Sequence, residues 1–422
     1  MLDGPGRIQL VNQQSAGDLQ NRGVNAIQML LRDDTLRANV RQKIYEAFSA
    51  YLVIDSTNPG TIRYKLSSTA PMSSSIERSF EQSAVDFHKA AVDINLYSDG
   101  VKAFTGILTE VMAGDPKVIV IDEPEAFLHP ALAFKIGSEI AAAALGTDKR
   151  LFVSTHSPEF LMGCIQSGVP LNIVRLTYRD GVGTARLLAN DKVLSLMRDP
   201  LLRSTGILAG IFYEHVVVGE SDADRAFYQE INDRMVRARS GGAANCLFVN
   251  AQNKQTIYQI VHPLRELGIA TAAIADIDVI KDGGQVWTRF LESGFVPTLT
   301  ISSTALLRAN LKSTFLATGK DMKRDGGIAL LNPADRAAAQ NLFAQLAEYG
   351  LFIVPGGELE GWLKHLGAAA SHSPEWLIEV FEKMGADPNA AGYVQPSTGD
   401  VWDFMRAVGS WLRSPTHKGI PD

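Results

Sequence analysis

Acidic side chains recur in this chain where short aliphatic runs end, a placement that suits metal-assisted phosphate chemistry. His215-Val216-Val217-Val218 runs into Gly219-Glu220-Ser221-Asp222-Ala223-Asp224, and Ala273-Ile274-Ala275 runs into Asp276-Ile277-Asp278. Oxygen-rich clusters of this kind suit hard divalent ions such as Mg²⁺ or Mn²⁺, and one or two such ions assist in-line attack on a phosphodiester. Residues two apart in an extended segment point to the same side, so the Asp276 and Asp278 carboxylates are expected to lie together. The competing reading is structural, with Asp222 or Asp224 capping the next helix and Asp276-Ile277-Asp278 as a solvated strand end. A third acidic stretch, Gly356-Gly357-Glu358-Leu359-Glu360, follows the aliphatic run at 351–354. Lys364 is expected one helical turn beyond Glu360 on the same face, either to stabilise a phosphorane-like transition state or to form an ordinary salt bridge.

A second constellation lies nearer the N-terminus. Val118-Ile119-Val120-Ile121 ends in Asp122-Glu123-Pro124-Glu125, which puts two carboxylates at the C-terminal edge of a buried strand, where nucleotide chemistry sits in open α/β sheets. There Asp122 would hold Mg²⁺ through water and Glu123 would polarise the water attacking a γ-phosphate. Capping of the following helix is the alternative. Leu151-Phe152-Val153-Ser154-Thr155-His156 is another strand, ending in an imidazole within reach of a γ-phosphate. Ser98-Asp99-Gly100 opens a helix, so the Ser98 hydroxyl, the Gly100 backbone and the helix N-terminus would face phosphate. A lone histidine after a strand is more often structural; these elements in this order point together to nucleotide.

The elements that must position these residues follow from hydrophobic periodicity. A helix is predicted over 34–51 and a strand over 61–66, then a helix over 101–113, a strand over 118–121, a helix over 131–145 and a strand over 151–154. That is a parallel α/β unit. After 184–196 and a connection at 198–213 comes a second alternation: strand 215–218, helix 222–237, strand 246–249, helix 255–267 and strand 271–275. Its strands are nearly continuous apolar runs, as expected where helices cover both faces of a sheet. From 286 onward the chain reads as helical with one more strand at 351–354.

Length and composition bound the rest. At 422 residues, 46% of them apolar, the chain is long enough for two or three domains. The net charge of −6 argues against a protein that simply coats DNA, though not against an enzyme with clustered carboxylates. Basic residues for phosphate contact are Arg234, Arg237 and Arg239 at a helix end, where they equally complement the dipole, and Lys323 with Arg324 in a loop. Cys164 and Cys246 form no CxxC pair, which suggests neither a disulfide framework nor a zinc site. No apolar run reaches the roughly 18 residues that span a bilayer, so the expectation is a soluble, cytoplasmic protein without membrane contact.

The string from Asp122 to Pro130, Asp-Glu-Pro-Glu-Ala-Phe-Leu-His-Pro, with Ser98-Asp99-Gly100 and His156, resembles the ABC-type ATPases related to SMC and RecF proteins. The resemblance implies a signature loop at Ser98 and Gly100, Walker B acids at Asp122 and Glu123, a switch histidine at His156, bound ATP, and a homo-oligomer in which one subunit's signature serine acts on another's nucleotide. Glu220 followed by Asp276 and Asp278 in one βαβαβ unit resembles the TOPRIM pattern. It implies that Glu220 binds metal or shuttles a proton and that Asp276 and Asp278 are metal ligands. Asp224 matches an additional acid, and Glu360, then Glu358, an acid-bearing element after the DxD pair.

The two parts in this order resemble the overcoming-lysogenization-defect (OLD) family of nucleases. The implied fold class is α/β: a partial ABC-type ATPase domain followed by a Rossmann-like TOPRIM domain with helical C-terminal additions. The expected boundaries are 1–196 for the ATPase part, 197–213 for a linker, 214–365 for the TOPRIM domain and 366–422 for a helical extension. The implied activity is Mg²⁺- or Mn²⁺-dependent cleavage of DNA, in anti-phage defence and under nucleotide control. RNA as substrate and a non-catalytic nucleotide-sensing scaffold remain as alternatives. No GxxxxGK[ST] sequence occurs, and the one Gly-Lys pair, Gly319-Lys320, is followed by Asp321. The expectation is that this polypeptide alone hydrolyses ATP poorly or not at all, its phosphate loop lost from the N-terminus, supplied by a separate subunit, or dispensable in a structural domain.

Overall fold

The computed structural model describes residues 1–18, 20–179, 181–191, 207–370 and 374–421. It divides into two compact units, Met1–Leu171 and Asn172–Asp422. Of the expected linker, 197–206 lie outside the described residues.

In the first unit, helix α1 (Asp34–Phe48) is followed by an antiparallel pair, β1 (Tyr51–Asp55) and β2 (Thr61–Ser67), in register from Tyr51 opposite Ser67 to Asp55 opposite Arg63. The helix stops three residues short of the predicted end at 51, although no glycine marks the stop. Ser49 instead takes the left-handed conformation (φ 53°) and returns its N–H to the Tyr45 carbonyl at 2.7 Å. Gly or Asn ordinarily signals such a stop. Helix α2 (Asp99–Ala113) then leads to β3 (Val118–Asp122), helix α3 (Pro130–Ala144), β4 (Arg150–Ser154) and helix α4 (Pro158–Gln166).

β3 and β4 pair in parallel, Asp122 opposite Ser154, and Leu2 bridges to Ile121 in parallel on the other side of β3. Leu52, Ile54, Tyr64, Phe104, Ile107, Ile121 and Ile136 are among the residues that form one buried core. The opposite face of the β3–β4 pair is open, with Val118 and Phe152 each 59% exposed.

Helices α3 and α4 cross at two glycines. A Cβ on Gly163 would lie 2.0 Å from the Phe134 carbonyl oxygen, and one on Gly137 would lie 2.3 Å from that of Phe160. Gly163→Ala is therefore expected to destabilise the unit by about 1–3 kcal/mol of overpacking, outweighing the ~1 kcal/mol that alanine gains in helix propensity. Denaturant unfolding checks this; a variant as stable as wild type would mean the helices separate freely at this crossing.

The second unit begins with a hairpin, β5 (Ile173–Arg179) and β6 (Val182–Leu188), which the sequence reading missed. Its residues were assigned to the first domain, but Arg175 donates to the Ile211 carbonyl at 3.1 Å and Arg186 to that of Pro421 at 2.6 Å. The main body follows: β7 (His215–Gly219), helix α5 (Asp222–Arg237), β8 (Cys246–Asn250), helix α6 (Ile257–Glu266) and β9 (Ala270–Ala275). Helices α7 (Gln285–Ser293), α8 (Thr298–Ala317) and α9 (Pro333–Ala347) intervene before β10 (Leu351–Ile353), and α10 (Glu375–Met384) and α11 (Asp400–Arg413) come after it.

The four strands form one parallel sheet in the order β8-β7-β9-β10. Every residue of β7 and β9 is buried, which is why those runs read as continuously apolar. Because the strands are parallel, their C-terminal ends share one edge of the sheet. Glu220, Asp276 and the stretch from Gly356 to Glu360 all emerge there.

Candidate functional site

At that edge Glu220 reaches from the end of β7 to the end of β9, where its carboxylate accepts the Asp276 N–H at 3.0 Å. Asp276 does not continue as an extended strand. Residues Ile277–Ile280 form a 3-10 helix tied by the Ile277 N–H to the Gly357 carbonyl at 2.9 Å. The expectation that strand alternation places Asp276 and Asp278 on one side is corrected accordingly. Asp278 sits within a helical turn, where Lys254 holds it at 3.0 Å and also pairs with Asp282 at 2.6 Å. It remains close enough to raise the Glu220 pKa, so the turn still gathers both acids.

Asp224 has a structural task. Its carboxylate accepts from the Ser221 N–H at 2.9 Å and the Ser221 hydroxyl at 2.8 Å, while Ser221 accepts the Asp224 N–H at 3.2 Å. This is a reciprocal capping box at the start of α5. Gly219 allows the approach, since a Cβ there would stand 2.9 Å from the Asp224 Cβ.

Glu358 and Glu360 arrive on the loop after β10. Gly357 (φ 114°) lets that loop cross the segment carrying Lys323: a Cβ would lie 2.0 Å from the Lys323 carbonyl oxygen. Lys323 then extends its ammonium to Asp276 at 2.7 Å, with Glu358 3.9 Å away. Gly357→Ala is expected to push the two loops apart and destabilise the second unit by about 1–3 kcal/mol, the cost of a strained, clashing backbone. Denaturant unfolding reads this, and unchanged stability would show that the two loops separate freely at this crossing.

Lys364 is not on a helix with Glu360, as the sequence reading expected. Two short 3-10 turns, Leu359–Gly361 and Lys364–Leu366, are separated by an extended Trp362 and a left-handed Leu363. Both residues nevertheless line one cavity of about 410 Å³, together with Lys323, Arg324, Glu358 and Trp376. Trp362 donates its indole N–H to the Tyr228 hydroxyl at 3.0 Å, closing the packing behind the acids.

The electrostatics show acids in excess of local cations. Burial pushes the Glu220 carboxyl up to about 7, with Asp278 and Asp224 adding to the rise against the Asp276 N–H and Lys323. Burial, then Glu220 and Asp224, hold Asp276 well above the usual carboxylate range. Burial likewise raises Asp224, with Glu360 contributing. Among the described residues no three Asp, Glu, His or Cys side chains are already arranged to hold a metal ion. The acids are gathered without converging, because lysines pair with Asp276 and Asp278 and Ser221 engages Asp224. The donor set nevertheless fits a hard divalent cation: it is all oxygen, and Asp278 Oδ1 is buried and accepts no hydrogen bond.

Two of the basic residues at the end of α5, Arg234 and Arg237, make contacts within the protein. Arg234 is buried, donates to the carbonyls of Met384 and Val394 at 3.0 Å each, and stacks over Tyr393. Arg237 donates to the Tyr393 hydroxyl at 2.7 Å. Arg234 therefore anchors the C-terminal helices and is closed to phosphate.

In the first unit Asp122 accepts from the Ser154 hydroxyl across the β3–β4 pair. Glu123, just beyond β3 with φ 45°, lies 3.6 Å from His156 Nε2, and that imidazole is 85% exposed. Glu125 fixes the turn carrying His156, accepting from the Thr155 hydroxyl at 2.7 Å and the His156 N–H at 3.1 Å. Arg7, which the sequence reading did not single out, donates to the Asp122 carbonyl at 2.6 Å and also to that of Glu123. Ser98 caps α2 with its hydroxyl free of the helix. Gly100 is held to the loop after β3, since a Cβ would meet the Phe127 carbonyl oxygen at 2.6 Å.

Residues 70–162, which take in all five of these nucleotide-site candidates, match the family model described as "AAA domain, putative AbiEii toxin, Type IV TA system". The first unit carries an ATPase-type domain. Several solved structures overlap this chain loosely. An SMC head bound to the C-terminal winged-helix domain of ScpA shares 14% identity at a TM-score of 0.28, over 38% of this chain and 44% of that one. An SMC ATPase studied for ATP-driven dimerisation and DNA-stimulated activation shares 14% identity at 0.26, over 39% of this chain and 90% of that one. The Smc head with an extended coiled coil and ScpA C-terminal domain from Pyrococcus furiosus shares 12% at 0.29, over 39% and 37%. These overlaps are too loose to assign a role to any residue. No curated protein matches the chain. Among the described residues no helix is long and apolar enough to cross a membrane.

Proposed function

We propose that the second unit is a metal-dependent endonuclease of the TOPRIM type and that the chain has the two-part layout of OLD nucleases, cutting DNA phosphodiesters in anti-phage defence. The observation that carries this reading is the bridge from Glu220 to the Asp276 N–H, which brings the acids of two parallel strands to one sheet edge in a buried, under-neutralised cluster. Glu220, Asp276 and Asp278 would hold the cation, with Glu360, Glu358 and Asp224 around them. A bound Mg²⁺ or Mn²⁺ supplies a polarised water and neutralises charge that develops on the phosphodiester oxygens. Glu220 keeps the Asp276 backbone in place, and Lys364 offers positive charge from the wall of the cavity. In the ATPase-type domain, Asp122, Glu123 and His156 form the candidate nucleotide-facing set, with Ser98 and Gly100 at a helix N-terminus. The exposed apolar face of the β3–β4 pair supports an assembly of more than one polypeptide, either copies of this chain or a separate subunit.

The test is to incubate the chain with supercoiled plasmid and with structured RNA in Mg²⁺, Mn²⁺ or EDTA. Plasmid nicking that requires the metal is expected. Cleavage confined to RNA would move the substrate class to RNA. Both polymers intact in both metals would end the nuclease reading and leave a nucleotide-sensing scaffold.

A further inference from the structure

Each carboxylate of the DxD pair is neutralised by a lysine from elsewhere in the fold, and the two lysines are held differently. Lys254 is shared between Asp278 and Asp282, at 3.0 and 2.6 Å, an arrangement with two close acceptors. Lys323 has one close acceptor, Asp276 at 2.7 Å, and its side chain is 31% exposed. Its backbone is firmly set. The Lys323 N–H donates to Asp321 at 2.8 Å, Asp325 N–H returns to the Asp321 carbonyl at 2.9 Å, and Gly327 N–H reaches the Met322 carbonyl at 3.0 Å. The Gly357 crossing pins the Lys323 carbonyl from the other side. The flexible part is the four-carbon stem. It borders the cavity of about 410 Å³ that Arg324 and Lys364 also line, so the ammonium has room to move while its loop stays put.

We propose that Lys323 is a displaceable counter-ion: it neutralises Asp276 while no divalent cation is bound, and a cation taking Asp276 sends the ammonium into the neighbouring cavity. There it joins Arg324 and Lys364 to form a phosphate-attracting wall that is complete only in the metal-loaded protein. The order of events follows, with metal first and the phosphate of the nucleic-acid strand second. An ammonium on Asp276 opposes a divalent cation on the same oxygens, while an ammonium in the cavity, where Glu358 and Glu360 offset Arg324 and Lys364, adds charge where a phosphate enters. The idea rests on the metal-site reading above.

The experiment uses the full chain and two readouts, neither of which needs catalysis. Calorimetry measures Mn²⁺ binding to wild type and to Asp276→Ala/Asp278→Ala. A brief pulse of an amine-acylating reagent, quantified by mass spectrometry with and without Mn²⁺, measures the accessibility of Lys323 against Lys418, which pairs with Glu348 at the other end of β10. Expected are Mn²⁺ binding that the double variant loses, and Lys323 acylation that rises severalfold with Mn²⁺ while Lys418 stays constant. Mn²⁺ binding with Lys323 acylation unchanged or reduced overturns the counter-ion role and leaves the metal site standing. No Mn²⁺ binding overturns both. Lys323→Met is expected to bind Mn²⁺ about tenfold more tightly, since no charged hydrogen bond has to be broken first. A weaker-binding Lys323→Met that keeps the wild-type circular dichroism also overturns the proposal.

Discussion

Asp276→Ala/Asp278→Ala is expected to lower metal-dependent phosphodiester cleavage by at least about a thousandfold, the roughly 4 kcal/mol that metal stabilisation of transition-state charge contributes. The reason is local. Asp276 and Asp278 stand at the end of β9, the strand flanked by both β7 and β10, so no other element of the sheet can replace them. The fold is expected to survive the change. The Asp276 N–H, not its side chain, is what Glu220 holds, and the Ile277 N–H remains tied to Gly357. Removing two carboxylates from a cluster whose burial and mutual repulsion already raise Glu220 and Asp276 also relieves an unfavourable interaction. Thermal stability in EDTA should therefore stay close to that of wild type, the relieved repulsion offsetting the loss of a partner for the partly exposed Lys323, while Lys254 keeps Asp282. Asp276→Asn, which keeps the shape and removes the charge, should lose cleavage nearly as completely. Cleavage by the double variant at the wild-type rate, in the same metal and with a purified, folded sample, would sink the assignment of these acids. A variant that loses cleavage together with its circular dichroism would instead show that the acids are structural.

Glu77→Ala carries the largest stability effect expected in the first unit, a loss of about 3–5 kcal/mol. Glu77 is completely buried, with Arg37 at 3.1 Å and Arg41 at 2.6 Å, and it also accepts the Ile54 N–H at 3.2 Å. It thus ties the segment after β2 to α1 and β1, which also share an apolar core and the Arg41 hydrogen bond to the Leu52 carbonyl at 2.7 Å. Truncation leaves the Arg37 guanidinium, 2% exposed, with only the half-exposed Asp34 at 2.7 Å to balance its charge, although the Leu30 carbonyl still accepts from it at 2.8 Å. Breaking a buried pair on one side costs far more than the pair is worth against an apolar replacement, because the remaining charge cannot be solvated. For a unit of this size each kcal/mol shifts the melting midpoint by about 2–4 °C, so a fall on the order of 10 °C is expected. Hydrogen exchange across residues 34–67 at increasing denaturant would locate the loss in this unit. Protection there within about 1 kcal/mol of wild type would show that the cluster is not the tie it resembles.

Much of the architecture was legible from residue order alone, because it depends on local periodicity. The continuous apolar runs at 215–218 and 271–275 correspond to the two fully buried strands, and the helix read at 222–237 is Asp222–Arg237. Aliphatic runs ending in acids could likewise be read, since strand ends in a parallel sheet share an edge whatever the loops do. The Asp122 to His156 segment was legible for the same reason, and it falls within the stretch that matches the AAA-domain family. The hairpin Ile173–Arg179 with Val182–Leu188 went unread although Val174 to Arg179 alternates apolar and polar, and its apolar residues Val174, Leu176 and Tyr178 face outward; the end of α1 went unread because Ser49 occupies a position glycine usually marks.

Residue types and their order determined which acids reach the sheet edge; only the tertiary structure decided how those acids are used. Asp224 spends its carboxylate on the Ser221 cap, which spacing allowed but did not choose. Asp278 turns into a 3-10 helix because Ile277 is bonded to Gly357, a residue about eighty positions away. Glu360 and Lys364 share a cavity across two broken turns in place of a helical face. Lys254 and Lys323, neither tied to the acids by any spacing, supply the charges that hold Asp278 and Asp276. The physical reason is common to all of these. Strand ends are set by periodicity within a few residues, whereas the neutralisation of a buried carboxylate is set by whatever cation the folded chain carries to it, and that depends on loops crossing at glycines far apart in sequence.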